Sequence, residues 1–318
     1  MLKKIYIKKL TLCAIVLFAI FLIYLIPNKE DKLKYNEEIE YVNSNVFTST
    51  IYLLDANNLL ASTKIITKQT SIKEKANELI ESLIIDGPMQ DNIPNGFKPI
   101  IPANTKILDL KYNDGTIKIN FSNDLMNTDI SKEEKIIEAI TYTLTSIDNI
   151  KYVIIYVEGE ILTKLPKSKI NLPSTLDRSF GINKEYNIDN TNNIEKTTIY
   201  YISEFNSNKY YIPVTKVNND SREKIEIIID ELSSSNLYKT NLMSYLNNNT
   251  KLLSVNQNND ELVLNFNNAI FNNISTKEIL EEVIYTISMS INDNYNVNTV
   301  VFNVEDEKIY KSVLKTIE

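Results

Sequence analysis

Two stretches of the chain carry the same succession of hydrophobic periods, each predicting strand, strand, helix, strand, strand, helix, strand. In the first stretch Ile72, Ala76, Leu79, Ile80 and Leu83 recur at helical spacing behind Ser71 and Glu74. That pair is a capping box, in which hydroxyl and carboxylate satisfy backbone N–H groups that the first helical turn leaves over. The second stretch answers with Ile225, Ile228, Ile229 and Leu232 behind Asp220 and Glu223. A later helix is predicted from Ser131 with Glu134, and its counterpart from Ser275 with Glu278. Between the helices Leu108, Leu110 and Tyr112 alternate with Asp109 and Lys111, turn at Asn113-Asp114-Gly115, and resume with Ile117, Ile119 and Phe121, which predicts a hairpin. Asn258-Asn259-Asp260 stands at the matching turn, where Asn and Asp tolerate left-handed backbone. Tyr152–Val157 and Thr299–Val304 are almost continuously apolar, as strands inside a sheet are.

Residue identities follow the periods. Asn104-Thr105-Lys106-Ile107-Leu108 returns as Asn249-Thr250-Lys251-Leu252-Leu253, and Ile117-Lys118-Ile119-Asn120-Phe121 as Leu262-Val263-Leu264-Asn265-Phe266, both at an offset of 145. Thr50-Ile51-Tyr52 pairs with Thr198-Ile199-Tyr200, and Glu138–Leu144 with Glu281–Ile287, so the offsets run between 143 and 148. Two copies of one domain account for this. Each copy is expected to be an α+β two-layer sandwich, a mixed sheet with two helices packed on one face. The expected order is a tail (1–9), an apolar anchor (10–27), a stalk (28–49), copy one (50–160), a linker (161–196) and copy two (197–318). The linker holds Pro166, Pro173 and many Asn, with room for a strand added to copy one.

The anchor is read from Leu10–Ile26, which carry no charge and as a helix would span roughly 26 Å, close to the ~30 Å of a bilayer core. Lys3, Lys4, Lys8 and Lys9 precede it and a mixed-charge stretch follows, so the positive-inside rule places the N-terminus in the cytoplasm and the rest outside. The run ends Tyr24-Leu25-Ile26-Pro27-Asn28 without the small residues of a cleavage site, which favours an uncleaved anchor. Cys13 sits near the start of the run, behind bulky Leu12, and reads as an apolar helix residue rather than a lipidation site.

The 318 residues include no His, no Trp, one Cys and five Gly. This excludes His-based nucleophilic triads, imidazole metal ligands, disulfides within the chain, CxxC zinc sites and glycine-rich phosphate loops. The first 32 residues hold six Lys and two acids, leaving 28 basic and 39 acidic residues, a net charge of −11, of which only Arg178 and Arg222 supply guanidinium. Such a surface is unsuited to nucleic acid, whose binding rests on neutralising phosphates. Glu158-Gly159-Glu160 and Glu305-Asp306-Glu307 close the last strand of each copy and are the available acids for a glycosidase-like pair. Solvated turns are the commoner use of such residues. Asp55, Asn57 and Asn58 offer oxygen ligands but lack the Gly and terminal Glu of a calcium loop, so a hairpin turn is the expectation. The 19 Tyr raise carbohydrate or peptide stacking, yet Tyr52, Tyr112, Tyr142, Tyr152 and Tyr156 fall where core packing suffices.

The order of Leu79–Pro88 (LIESLIIDGP), Ile101–Leu108 (IPANTKIL), the Asp114-Gly115 turn, Asn120-Phe121-Ser122 and Tyr142-Thr143-Leu144-Thr145 resembles the GerMN domain of sporulation and spore germination proteins, here in tandem. The likeness spans Thr50 to Glu160 and, less closely, Thr198 to Ile309. Copy two departs from it, with Leu232-Ser233-Ser234-Ser235 in place of Gly-Pro and no Pro before Asn249. The resemblance implies an extracytoplasmic, noncatalytic assembly domain similar to ring-building modules of the channel joining mother cell and forespore. Its implied partners are envelope or sporulation-channel proteins, or further copies of itself, with no cofactor, metal or catalytic residue. The competing expectations are a carboxylate-dependent wall hydrolase, which needs a deep acidic cleft, and an envelope sensor, which needs an apolar pocket between the copies.

Overall fold

The computed structural model describes residues 47–68, 71–234 and 241–314. The apolar segment Leu10–Ile26, with Cys13, and most of the stalk lie outside the described residues. Among the described residues no helix is long and apolar enough to cross a membrane.

Copy one runs β1 (Phe47–Leu54), β2 (Leu60–Thr67), α1 (Ile72–Ser82), β3 (Ile107–Asn113), β4 (Thr116–Phe121), α2 (Ile130–Leu144), β5 (Tyr152–Val157) and a two-residue β6 (Glu160–Ile161). A connector follows, with β7 (Glu185–Asn187) near its end. Copy two repeats the order as β8 (Glu195–Phe205), β9 (Asn208–Asn218), α3 (Lys224–Ser233), β10 (Leu252–Asn258), β11 (Glu261–Phe266), α4 (Glu281–Asn294), β12 (Thr299–Val304) and β13 (Glu307–Val313).

The strands do not form one sheet per copy as expected. Each copy keeps a four-stranded mixed sheet, β3-β4-β5-β6 or β10-β11-β12-β13, with a parallel pair at its centre. The opening hairpins β1/β2 and β8/β9 leave their copies' sheets and join across a β2–β9 contact at Ser62 and Tyr211, with β7 added parallel to β9. The physical reason lies at the hairpin edges. Side chains at the C-terminal ends of the second helices bond the outer strands: Ser146 Oγ, in the turn after α2, donates to the Thr50 carbonyl, and Asn294 of α4 both donates to the Thr198 carbonyl and accepts its N–H. With those edges occupied, the inner strands β2 and β9 are free to pair with each other.

Apolar strands β5 and β12 sit inside their sheets as their sequences predict. The Asp114-Gly115 turn has φ of 43° and 72°, the left-handed pair a two-residue hairpin demands. The N-cap of α1 is present, with Ser71 Oγ accepting the Glu74 N–H at 3.3 Å, although the Glu74 carboxylate takes the Ser71 hydroxyl at 2.8 Å instead of a backbone N–H. Its three counterparts are not. Asp220 turns to Arg222, so α3 starts after Glu223 without a side-chain cap, and α2 begins at Ile130 behind Asp129, leaving Ser131 inside it. Ser275 and Glu278 lie in an irregular stretch held by Asn273, which delays α4 to Glu281.

The helix register also differs from the sequence match. The Tyr52 N–H donates to Thr143 Oγ1 and the equivalent Tyr200 N–H to Ser290 Oγ, which sets Thr143 against Ser290 at an offset of 147. The buried positions Ile136, Ile137, Ile140 and Leu144 fall on Val283, Ile284, Ile287 and Ile291 at that same offset. Matching Tyr142 to Tyr285, at 143, slips the helix by four residues, about one turn, which preserves its apolar stripe and conceals the error. The true counterparts are Glu134 and Glu281, Glu138 and Tyr285, and Tyr142 and Met289.

Each copy has its own hydrophobic core. The connector belongs to the first, because Leu165, Leu172, Leu176, Phe180 and Ile182 are buried there.

Candidate functional site

Chemistry concentrates where the two copies meet, and most of it comes from the connector. Arg178 leaves a short 3-10 turn (Arg178–Phe180) that Asp177 caps through the Ser179 N–H. Its Nη1 donates to Asp293 Oδ1 at 2.6 Å and to the hydroxyls of Tyr52 and Tyr200, each at 3.3 Å. Those hydroxyls stand 2.9 Å apart, so equivalent tyrosines of the two copies meet at one guanidinium. Tyr200 also donates to Asp293 Oδ2, and Tyr142 donates to the Arg178 carbonyl while its ring lies 4.8 Å from the guanidinium carbon.

Burial alone would lower the Arg178 pKa, but the Asp293 carboxylate and then the surrounding phenols hold it well above its ordinary value. Burial, reinforced by Asp293, pushes the Tyr142 and Tyr200 phenols well above theirs. The side chain of Asp293 is 1% exposed and that of Arg178 19%, so neither charge is solvated enough to stand without the other.

Asn183, with φ of 45°, bonds both copies from the same connector. Its amide accepts the Leu60 N–H and donates to the carbonyls of Leu60 and Pro213, while its backbone N–H donates to Glu138. Lys184 is clamped by Glu134 at 2.7 Å and Glu138 at 3.2 Å and lies over the Phe180 ring. Burial raises the Glu138 pKa against the opposing pull of Lys184. Farther along the junction, Tyr210 of β9 donates to Asp55 and packs edge-on against Phe97. Gly96, at φ of 93°, has no room for a methyl group because one would lie 2.6 Å from the Phe205 ring.

Several of the acids singled out by sequence have local partners where the last strands end. Glu158 and Asp306 have positive φ; Glu158 accepts the Asn123 N–H, Asp306 accepts from Asn265, and Glu307 pairs with Lys277. Asp55 takes the N–H groups of Asn57 and Leu59, closing the hairpin, and its other oxygen serves Tyr210. Tyr52 and Tyr142 are buried, as the packing argument expects, whereas Tyr152 is exposed. Among the described residues no group of three or more acidic or Cys side chains is placed to hold a metal. A groove of about 440 Å³ lined by Ile85, Pro102, Asn104 and Lys132 of copy one and Lys167 of the connector does not lie between the copies. Nor does one of about 230 Å³ beside Arg222.

Sequence reasoning missed Arg178, Asn183, Lys184 and Asp293 as a set. The available signal was Arg178 itself, one of two guanidinium groups in the chain, set inside a supposed linker.

Comparison with known proteins gives a consistent answer. Residues 50–163 and 198–310 each match the family Germane, described as sporulation and spore germination. The chain is 31% identical over 261 residues to the spore germination protein GerM of Bacillus subtilis (strain 168), covering 80% of this chain and 70% of that protein. It superposes on the tandem GerMN domains of the sporulation protein GerM from Bacillus subtilis with a TM-score of 0.74 and 27% identity, over 82% of this chain and 92% of that one. The first GerMN domain of that protein by itself matches 42% of this chain and 98% of its own, at 27% identity and a TM-score of 0.39.

Proposed function

This chain belongs to the Germane family, and we propose that it is a membrane-anchored assembly protein of the cell envelope, acting in spore formation or germination through protein contacts of its two copies. In this reading Leu10–Ile26 is the anchor, the N-terminus is cytoplasmic and both copies lie outside the membrane. Its work is noncatalytic. The observation that carries the reading is the junction: a buried ion pair and an asparagine bridge hold two similar domains at one angle, as a scaffold presenting two surfaces in register requires. Glu158, Asp306 and Glu307, three of the acids a hydrolase would draw on, are already engaged by other side chains or backbone, which favours the scaffold further.

Deleting the gene, with spore formation scored separately from germination of finished spores, tests the role. A defect in one of the two is expected, and wild-type behaviour in both would overturn it. Protease added outside intact protoplasts should digest both copies and spare the first residues. Full protection of the copies would place the chain on the wrong side of the membrane.

A further inference from the structure

Helix α2 carries a stripe, Glu134, Glu138 and Tyr142, that the irregular connector segment from Arg178 to Lys184 covers. The connector lays Lys184 between the two carboxylates, donates the Asn183 N–H to Glu138, and brings Arg178 against Tyr142. The structurally equivalent stripe of α4 is Glu281, Tyr285 and Met289, and there no segment among the described residues lies over it as the connector lies over α2. Glu281 is exposed, Met289 is half-buried, and Tyr285 is 42% exposed although its counterpart Glu138 is buried.

The open stripe is flanked by aromatic rings and fixed charge. Tyr211 meets Tyr285 edge-on at 6.1 Å, Lys209 pairs with Glu282 at 2.6 Å, and its ammonium lies 4.5 Å from the centre of the Tyr245 ring. Burial and then the Glu282 carboxylate push the Tyr211 phenol up to about 12, so its hydroxyl remains a proton donor. Tyrosines beside charged groups suit a partner bearing both apolar and polar atoms, because each ring offers a flat apolar face and a polar tip. Among the described residues Glu281 forms no ion pair, and its carboxylate faces the Tyr285 hydroxyl, whose pKa it pushes up, whereas the equivalent Glu134 holds Lys184, which makes a cation the complementary group.

We infer that the Glu281–Tyr285–Met289 face of α4 is a docking site for a lysine- or arginine-bearing peptide segment of a partner protein, seated as the connector is seated on α2. The inference rests on the assembly reading above and supplies the chemistry of its partner. Length follows from the template: a short segment with an irregular, turn-containing backbone crossing about two helical turns, with its cation near Glu281 and an apolar or aromatic residue beside Tyr285.

The probe is a dye-labelled synthetic peptide with the connector's own sequence from Leu176 to Asn187, titrated into the full-length chain and read by fluorescence anisotropy. Weak, saturable binding is expected. Tyr285→Ala and Glu281→Lys should each weaken it about tenfold, as should a peptide in which the position of Lys184 carries Gln. Tyr285→Glu, which restores the carboxylate pair of copy one, should tighten it. Tyr186→Ala, an exposed tyrosine on β7, should change nothing, and circular dichroism checks that each variant is folded. No saturable binding to either the wild-type chain or Tyr285→Glu would overturn the inference, as would equal binding by all variants. Saturable binding of tetra-N-acetylchitotetraose at the same tyrosines, with none of the peptide, would overturn it in favour of a glycan. None of these outcomes depends on the sporulation phenotype, so the two readings fail separately.

Discussion

The same helix face is closed in one copy and open in the other. On α2 the connector buries Glu138 and Tyr142, while on α4 their counterparts Tyr285 and Met289 remain within reach of solvent. The edge strands differ in the same sense. Leu110 of β3 is 4% exposed, whereas Val255, at the equivalent place on β10, is 40% exposed. Duplication therefore preserved the interior and let the surfaces diverge. Core positions must keep volume and period, but a helix face keeps its residue types only while the same segment packs on it. Copy one has become the fixed half of the molecule, and copy two the half with surface to offer.

The junction that joins these halves can be broken at one atom pair. Asp293→Asn leaves Arg178 buried without its counter-charge and should cost about 3–5 kcal/mol. Because each copy has its own core, scanning calorimetry should then resolve two transitions in place of one. A single transition at the wild-type temperature would show that the ion pair does not couple the copies.

Asn183→Ala removes bonds to Leu60 and Pro213 and should cost about 2 kcal/mol, the penalty for buried backbone groups left unpaired. Chemical denaturation measures it, and an effect within error would reassign those groups to water. The caps sharpen the contrast at a smaller scale. Ser71→Ala should destabilise by about 1 kcal/mol, while Glu223→Ser, which supplies the side-chain cap that α3 lacks, should stabilise by about 0.5–1 kcal/mol.

Acid sensitivity gives the last test. Burial alone would raise the Glu133 pKa, but the N–H groups of Ser168 and Lys167 outweigh it and hold the carboxyl below its ordinary value. A depressed carboxyl contributes stability that is full above its unfolded value and lost as pH falls through the lower folded one. Glu133→Gln should therefore lower stability at neutral pH and flatten its decline into acid. Thermal midpoints across that range that remain parallel to wild type would exclude Glu133 as a source of the slope.

How much of this could be read in advance differs from residue to residue. The Asp114-Gly115 turn, the cap at Ser71 and the interior strands β5 and β12 were legible because each depends on a few neighbouring residues. The caps proposed for the other helices were not, since Asp220 found Arg222 and the segment around Ser275 was drawn into bonds with Asn273. The α4 register was misread by one turn because a slip of four residues returns the same apolar face to the core. The junction could not be assembled from sequence at all, because Tyr52, Arg178, Tyr200 and Asp293 are scattered across the chain and share no local pattern.

By itself, the sequence determined the duplication, the α+β class, the identity of the core and the lack of His-based chemistry, all of which follow from composition and short-range periodicity. Only the tertiary structure decided that the opening hairpins leave their own sheets to pair across copies, that the supposed linker forms part of the first core, and that its one arginine joins the halves. Those outcomes depend on which strand edges and buried charges remain unsatisfied once the local elements have formed, and satisfying them is a property of the whole chain.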